Sequence, residues 1–186
     1  MTATVILAGG KGTRLGGNKP LHPWRGTTLV AAVIARLRPQ ADALAINADP
    51  AHAEGLQPLG LPLIFDAQAT AGRGPLSGVL SALAWAETRE AAFVVTAPCD
   101  MPHLPADLVA RLMQAPDADV VHFAGARDYP LCARWATRLY PRLSAELEAA
   151  TDGLKVMRFI AGCTSLVLAA GDDAAFANIN SPDDLS

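Results

Sequence analysis

Short apolar runs alternate with stretches of helical periodicity along the chain, and this rhythm constrains the fold more than any other feature. Residues 4–7 read as a strand, followed by a glycine-rich loop and a helix near 28–37. Residues 43–47 and 63–65 read as further strands. Residues 76–86 carry Leu76, Val79, Leu80 and Leu83 at helical spacing, with Pro75 where a first helical turn tolerates it. A strand at 93–96, a helix at 104–113 opened by Pro105 and a strand at 119–123 follow. Residues 131–135 read as extended, 137–150 and 154–160 as helices, and 165–168 as a last strand. Such alternation predicts a mostly parallel sheet covered on both faces. The expected fold is α/β: a single domain over residues 1–186, a three-layer α/β/α sandwich with a Rossmann-like sheet.

Composition narrows the functional classes. The 186 residues are 51% hydrophobic and 18% charged, which suits a sizeable core and excludes disorder. The longest uncharged runs, 74–86 and 159–171, are 13 residues each, below the roughly 20 that a membrane-spanning helix needs. No basic segment precedes residues 5–8, so no secretory signal is expected and the cytoplasm is the expected location. A net charge of −3 leaves no basic footprint for nucleic acid and no polybasic membrane attachment. The three cysteines, Cys99, Cys132 and Cys163, form no C-x-x-C pair, and the four histidines are scattered. Reduced thiols packed as small hydrophobes are expected, not a disulfide frame or a zinc site.

In a sheet of this kind ligands bind beyond the carboxyl ends of the strands. The first strand runs into Gly9-Gly10-Lys11-Gly12-Thr13-Arg14-Leu15-Gly16-Gly17-Asn18-Lys19, which holds five glycines and three cations. Glycine lets backbone N–H groups close on an anion, and the cations suit a triphosphate. Only three of the 15 basic residues are lysine, and two of them, Lys11 and Lys19, lie here. Asn47 follows the second strand, Asp66 and then Gly72–Gly78 the third, and Pro98-Cys99-Asp100-Met101-Pro102 the fourth. Asp100 ends a buried strand between two prolines, which makes it the best magnesium-ligand candidate; a turn or helix-cap aspartate is the competing reading.

Two familiar phosphate loops do not fit. The dinucleotide fingerprint would use Gly10 and Gly12 but meets Leu15 at its third glycine; the P-loop would use Gly12 and Gly17 but is followed by Asn18. The segment Leu7-Ala8-Gly9-Gly10, with Arg14-Leu15-Gly16-Gly17 and Lys19, instead resembles the opening of the nucleotidyltransferases that activate small molecules with a nucleoside triphosphate. Within them it is similar to the molybdenum cofactor guanylyltransferases, which join GMP to molybdopterin. The resemblance continues through Ile46-Asn47-Ala48, Asp66, Gly74-Pro75-Leu76-Ser77-Gly78, Pro98-Cys99-Asp100-Met101-Pro102, Tyr129-Pro130-Leu131 and Asn178-Ile179-Asn180-Ser181-Pro182-Asp183-Asp184-Leu185. One departure is Asn18, which stands where the family usually has Asp, in a loop one residue shorter.

The resemblance implies transfer of GMP from GTP to the phosphate of molybdopterin, with release of pyrophosphate and Mg2+ as cofactor. It implies GTP and molybdopterin, or the molybdenum-loaded cofactor, as substrates, and it admits molybdoenzyme-maturation proteins as partners. Lys19 and Arg14 would neutralise the phosphates and, with Asp100, form the catalytic set. Asp100 and Asn180 would hold the metal. Leu7, Ala8, Gly9, Gly10, Lys19, Asn47, Asp66, Gly74, Gly78 and Asp100 would line the nucleotide site. Asp66 is suited to the two adjacent donors of guanine's pairing edge, and Tyr129-Pro130 to the acceptor side. Trp85 reads as core, on the apolar face of its helix.

Three alternatives stay open on sequence. A CTP-dependent cytidylyl-transferring relative differs at the segments matching Leu7–Gly10, Gly74–Gly78 and Cys99–Pro102. Sugar-1-phosphate nucleotidylyltransferases are usually longer. A non-catalytic nucleotide-binding regulator would be favoured by loss of the carboxylate or the loop lysine, and both are present.

Overall fold

The computed structural model of the chain describes residues 1–9, 18–150 and 153–180. In chain order the elements are β1 (Ala3–Ala8), β2 (Pro23–Trp24), β3 (Thr27–Thr28), α1 (Leu29–Leu37), β4 (Ala43–Ala48), α2 (Ala53–Leu56), β5 (Leu63–Ile64), α3 (Pro75–Glu87), β6 (Phe93–Pro98), α4 (Leu108–Gln114), β7 (Val120–Ala124), β8 (Asp128–Ala136), α5 (Tyr140–Ala149), α6 (Val156–Ala161) and β9 (Ser165–Ala169). Seven strands form one sheet in the order β5-β4-β1-β6-β8-β7-β9. Only β8 runs against its neighbours β6 and β7; the other pairings are parallel. The mostly parallel α/β expectation therefore holds.

Side-chain alternation along the strands feeds two cores. Ile6 and Ala8 of β1, with Val95 and Ala97 of β6, face α1 and α4 through Val30, Val33, Leu37, Leu108 and Leu112. Ala3, Val5 and Val94 face the opposite layer, where Leu76, Val79 and Leu83 of α3 meet Leu143 and Leu147 of α5 and Phe159 of α6. Each fully buried Val, Leu, Ile or Phe among them contributes about 1.5–3 kcal/mol of transfer free energy, so a sheet covered on both sides is what this pattern stabilises. Trp85 and Trp135 are buried in that second core, as is Trp24 in a third cluster with Leu29 and Ile179. The indole of Trp135 donates to Thr96 Oγ1 at 2.9 Å.

Most boundaries shift by a residue or two; β8 begins three residues earlier than the extended stretch expected at 131–135, and two helices open later than expected. The helix expected at 104–113 begins at Leu108, with Asp107 at its N-cap position, because Met101 and Leu104 are drawn into the core by the turns ahead of it. The helix expected at 137–150 opens as a 3-10 turn, Thr137–Leu139, before α5 begins at Tyr140. Among the described residues no helix is long and apolar enough to cross a membrane.

Candidate active site

β1 lies between β4 and β6, with Leu7 in register with Asn47 on one side and Pro98 on the other. The chain turns one way from β1 to β4 and β5, then back past β1 to β6, which opens a crevice at the strand ends. A cavity of about 780 Å³ occupies it, lined by Leu7, Gly9, Lys19, Asn47, Asp66, Gly72, Gly74, Gly78, Asp100, Asn178 and Asn180 among others. That volume is within the usual range for a site taking a molecule of nucleotide size.

One end of the cavity is charged. Lys19 begins a short 3-10 turn made by Pro20 at its start, and its ammonium is ion-paired to Asp100 Oδ2. The same ammonium donates to Asn180 Oδ1 at 2.7 Å. Asn178 Nδ2 donates to Asp100 Oδ2 at 3.3 Å, and Arg127 Nη2 donates to Asn178 Oδ1 at 3.1 Å. Asp100 Oδ1 is buried without a hydrogen-bond partner among the described residues. Asp100 caps no helix, since α4 starts only at Leu108 with Asp107 at its cap position. Its backbone is pinned instead: Asp100 O accepts from Ile179 N at 2.9 Å, and Cys99 N donates to Leu7 O at 3.0 Å. Alternation across Asn178-Ile179-Asn180 then explains the cluster. Ile179 packs on Trp24 and Leu29, while the two amides line the cavity.

The other end is polar, without a cation among the described residues that line it, and centres on Asn47, which is 2% exposed, and on the carboxylate of Asp66. Asn47 Nδ2 donates to Asp66 Oδ1 at 2.8 Å, and Ser81 Oγ donates to the same oxygen at 3.0 Å. Asn47 fits because its neighbours lack side chains. A Cβ on Gly78 would stand 2.5 Å from Asn47 Oδ1, and one on Gly9 3.2 Å from it. Gly74 adopts φ 97°, ψ −173° ahead of Pro75 at the start of α3, a conformation that a side chain would strain.

Of the residues expected at the site, Leu7, Gly9, Lys19, Asn47, Asp66, Gly74, Gly78, Asp100 and Asn180 lie around this one cavity. Ala8 does not: strand alternation turns it into the core beneath α1, where it is 1% exposed. Gly10 and Arg14 lie outside the described residues. Tyr129, expected on the acceptor side, is buried with its ring stacked on Phe176, and its hydroxyl donates to Asp173 Oδ1 at 2.6 Å. Leu131 reaches the cavity wall instead. Cys99 also lines the cavity, but burial first, and the Asp100 charge second, push its thiol up to about 12, so it stays protonated and is no nucleophile. Asn178 and Ser81 were not expected. Asn178 stood two residues before Asn180 in an extended segment, which is the spacing that puts both on one side.

A cation, a carboxylate and two amides at one end of a nucleotide-sized cavity, at a strand-order reversal, define a phosphate-handling α/β protein. The family model of the MobA-like NTP transferase domain matches residues 4–171. A molybdenum cofactor guanylyltransferase of Cereibacter sphaeroides is 42% identical over 186 residues, covering 98% of this chain and 92% of that protein. Among solved structures, the molybdopterin-guanine dinucleotide biosynthesis protein A of Archaeoglobus fulgidus shares the fold with a TM-score of 0.82 at 22% identity, covering 99% of this chain and 95% of that one. A Mycobacterium tuberculosis protein solved as a complex with manganese has a TM-score of 0.67 at 18% identity, covering 98% and 95%. The chain belongs to the MobA-like NTP transferase family and is a nucleotidyltransferase.

Proposed function

We propose that the chain transfers GMP from GTP to the phosphate of molybdopterin, as a molybdenum cofactor guanylyltransferase in the formation of the guanine dinucleotide cofactor. The observation that carries this reading is the polarity of the cavity: Lys19, Asp100, Asn178 and Asn180 gather at one end, and Asn47 with Asp66 at the other. That division suits a triphosphate joined to a base with hydrogen-bond donors.

Asp100 and Asn180 fit a divalent cation. They offer two hard oxygens that already converge on the ammonium of Lys19, and Asp100 Oδ1 is buried with no donor among the described residues. Mg2+, the expected ion, would neutralise phosphate charge there and polarise the phosphorus toward attack. Lys19, released from Asp100 when these oxygens are otherwise engaged, stabilises the charge that develops on the α-phosphate. The acceptor's phosphate oxygen forms a bond to the α-phosphorus, the bond from that phosphorus to the α,β-bridging oxygen breaks, and pyrophosphate leaves. Such chemistry is mostly alignment and charge neutralisation. Asp66 orients guanine: Asn47 and Ser81 occupy Oδ1, which leaves Oδ2 for a base donor. GTP as donor fits action in the cytoplasm.

The test is incubation with GTP, molybdopterin and Mg2+, following pyrophosphate and the guanine dinucleotide product, with CTP in competition. Product from CTP in preference to GTP would replace this reading with cytidylyl transfer. GTP binding without any pyrophosphate release would favour a non-catalytic role.

A further inference from the structure

The wall of the cavity between Asp66 and α3 is a loop, residues 65–74, that contributes Asp66, Ala71, Gly72 and Gly74. It belongs to no strand ladder. Gly72 and Gly74 both have positive φ, and Ala71, Gly72 and Gly74 are exposed. Something must hold it at a fixed distance from Asn47.

Two anchors do so. The first is internal: Thr70, 2% exposed, accepts at its carbonyl from Ser77 Oγ at 2.6 Å and from Arg73 N at 3.2 Å. The second is Arg73. Its Nη1 lies 2.7 Å from Leu147 O, 2.8 Å from Ala150 O and 3.2 Å from Glu148 O, donating to the carbonyl groups that close α5. The last carbonyls of a helix lack intrahelical donors and carry its negative dipole end. α5 has no basic residue of its own in its last turn, so Arg73 supplies that charge from a distant loop. On the other side, the Arg73 carbonyl would stand 3.0 Å from a Cβ on Gly153, a glycine at φ +80°. α5 is itself fixed on the second core by Leu143 and Leu147, both fully buried.

We infer that Arg73 is a positioning residue for the nucleotide, tying the 65–74 loop to the end of α5 so that Gly72 and Gly74 stand at the right distance to close on the bound nucleoside. The inference rests on the reading of the cavity as a GTP site. Arg73 acts through the loop and not on the reacting phosphates, which lie at the Lys19 end of the cavity. Its loss therefore lowers the fraction of molecules whose loop is in the binding geometry, and the apparent dissociation constant rises as that fraction falls.

The experiment is GTP binding by calorimetry, alongside steady-state transfer. Arg73→Ala should raise Kd and KM for GTP about tenfold, as expected if the loop is competent about a tenth of the time, while kcat at saturating GTP stays within about threefold of wild type. Arg73→Lys should fall between, because one ammonium can still reach part of the carbonyl cluster. Gly153→Ala, which crowds the Arg73 carbonyl from the other side, should raise Kd as well. Unchanged Kd in both Arg73→Ala and Gly153→Ala, with normal melting temperatures, would overturn the inference. So would a fall in kcat with KM unchanged, the mark of a merely smaller folded fraction. Wild-type protein that binds no GTP would overturn the reading of the cavity instead.

Discussion

Asn47 and Asp66, 19 positions apart, are joined by a hydrogen bond of 2.8 Å from amide to carboxylate, and the room for it is made by two glycines. Asn47 extends from the end of β4 across the faces of Gly9 and Gly78, where any added Cβ would press on its Oδ1. The pair is thus assembled by what is missing from β1 and α3 as much as by what is present in β4.

Gly78→Ala should break this arrangement. The new methyl would stand 2.5 Å from Asn47 Oδ1 and 3.2 Å from Leu7 Cδ2, so Asn47 must move and Asp66 loses a donor. Overpacking of this kind typically costs about 1–3 kcal/mol, read as a lower melting temperature, and KM for GTP should rise with it. A variant with wild-type KM would show that Asn47 plays no part in nucleotide binding.

Asp66→Asn tests base choice. Oδ1 can still accept from Asn47 and Ser81, so the fold should survive, but the other position becomes a donor facing a donor on guanine. A site that hydrogen-bonds a substrate group discriminates by leaving its own polar groups unpaired with the wrong ligand. The GTP-to-CTP ratio of kcat/KM should fall by roughly tenfold, the scale of one such hydrogen bond to a charged group. An unchanged ratio would remove Asp66 from base recognition.

These residues differ in how legible they were. The strands and helices with strong periodicity were readable because burial on two faces dictates their pattern, and the site followed because ligands gather at strand ends. The β2–β3 hairpin was not readable: its strands are two residues each, and the first of its two turn residues, ahead of Gly26 at φ 80°, is Arg25 at φ 43°, where glycine or asparagine is usual. Asn178, quoted in a matching segment, and Ser81 had no readable role because their value comes from partners far along the chain, 78 positions away for Asn178 and Asp100. Tyr129 shows the opposite error. A polar aromatic in a site-like segment is in fact spent on Asp173 and Phe176, a fold contact no local pattern reveals.

His122 should make stability depend on pH. It is 2% exposed, and neither ring nitrogen has a hydrogen-bond partner among the described residues. Burial is the main cause that holds its pKa below the ordinary 6.5, with Asp128, 3.8 Å away, opposing the shift. Below pH 6.5 the unfolded chain therefore takes up a proton that the folded chain does not, so stability falls as pH drops through that value toward the folded pKa. His122→Leu should flatten this part of the profile in urea titrations between pH 7.5 and about 5, where the unfolded histidine charges. The same slope in both proteins would place the sensitivity elsewhere.

The ion pair of Lys19 with Asp100 sets up the last prediction. The ammonium occupies the same two oxygens, from Asp100 and Asn180, that the proposed divalent cation needs. Lysine and metal therefore compete for one place when no nucleotide is bound, and removal of the lysine should favour the metal. Lys19→Met keeps the length and apolar character of the stem while deleting the charge. In the absence of GTP it should bind Mn2+ more tightly than wild type, by roughly tenfold if the repulsion removed amounts to about 1.4 kcal/mol, as read from the loss of the free-ion signal in electron paramagnetic resonance. Transfer should nevertheless collapse, because the charge that stabilises the α-phosphate is gone. Asp100→Asn should move the other way and weaken Mn2+ binding, since a neutral amide replaces the carboxylate. Tighter metal binding with lost turnover in Lys19→Met would separate the two duties of this residue, a placeholder before the substrate arrives and a phosphate ligand after it. Equal Mn2+ affinity in Lys19→Met and wild type would mean that the metal sits on other oxygens than those Lys19 now holds.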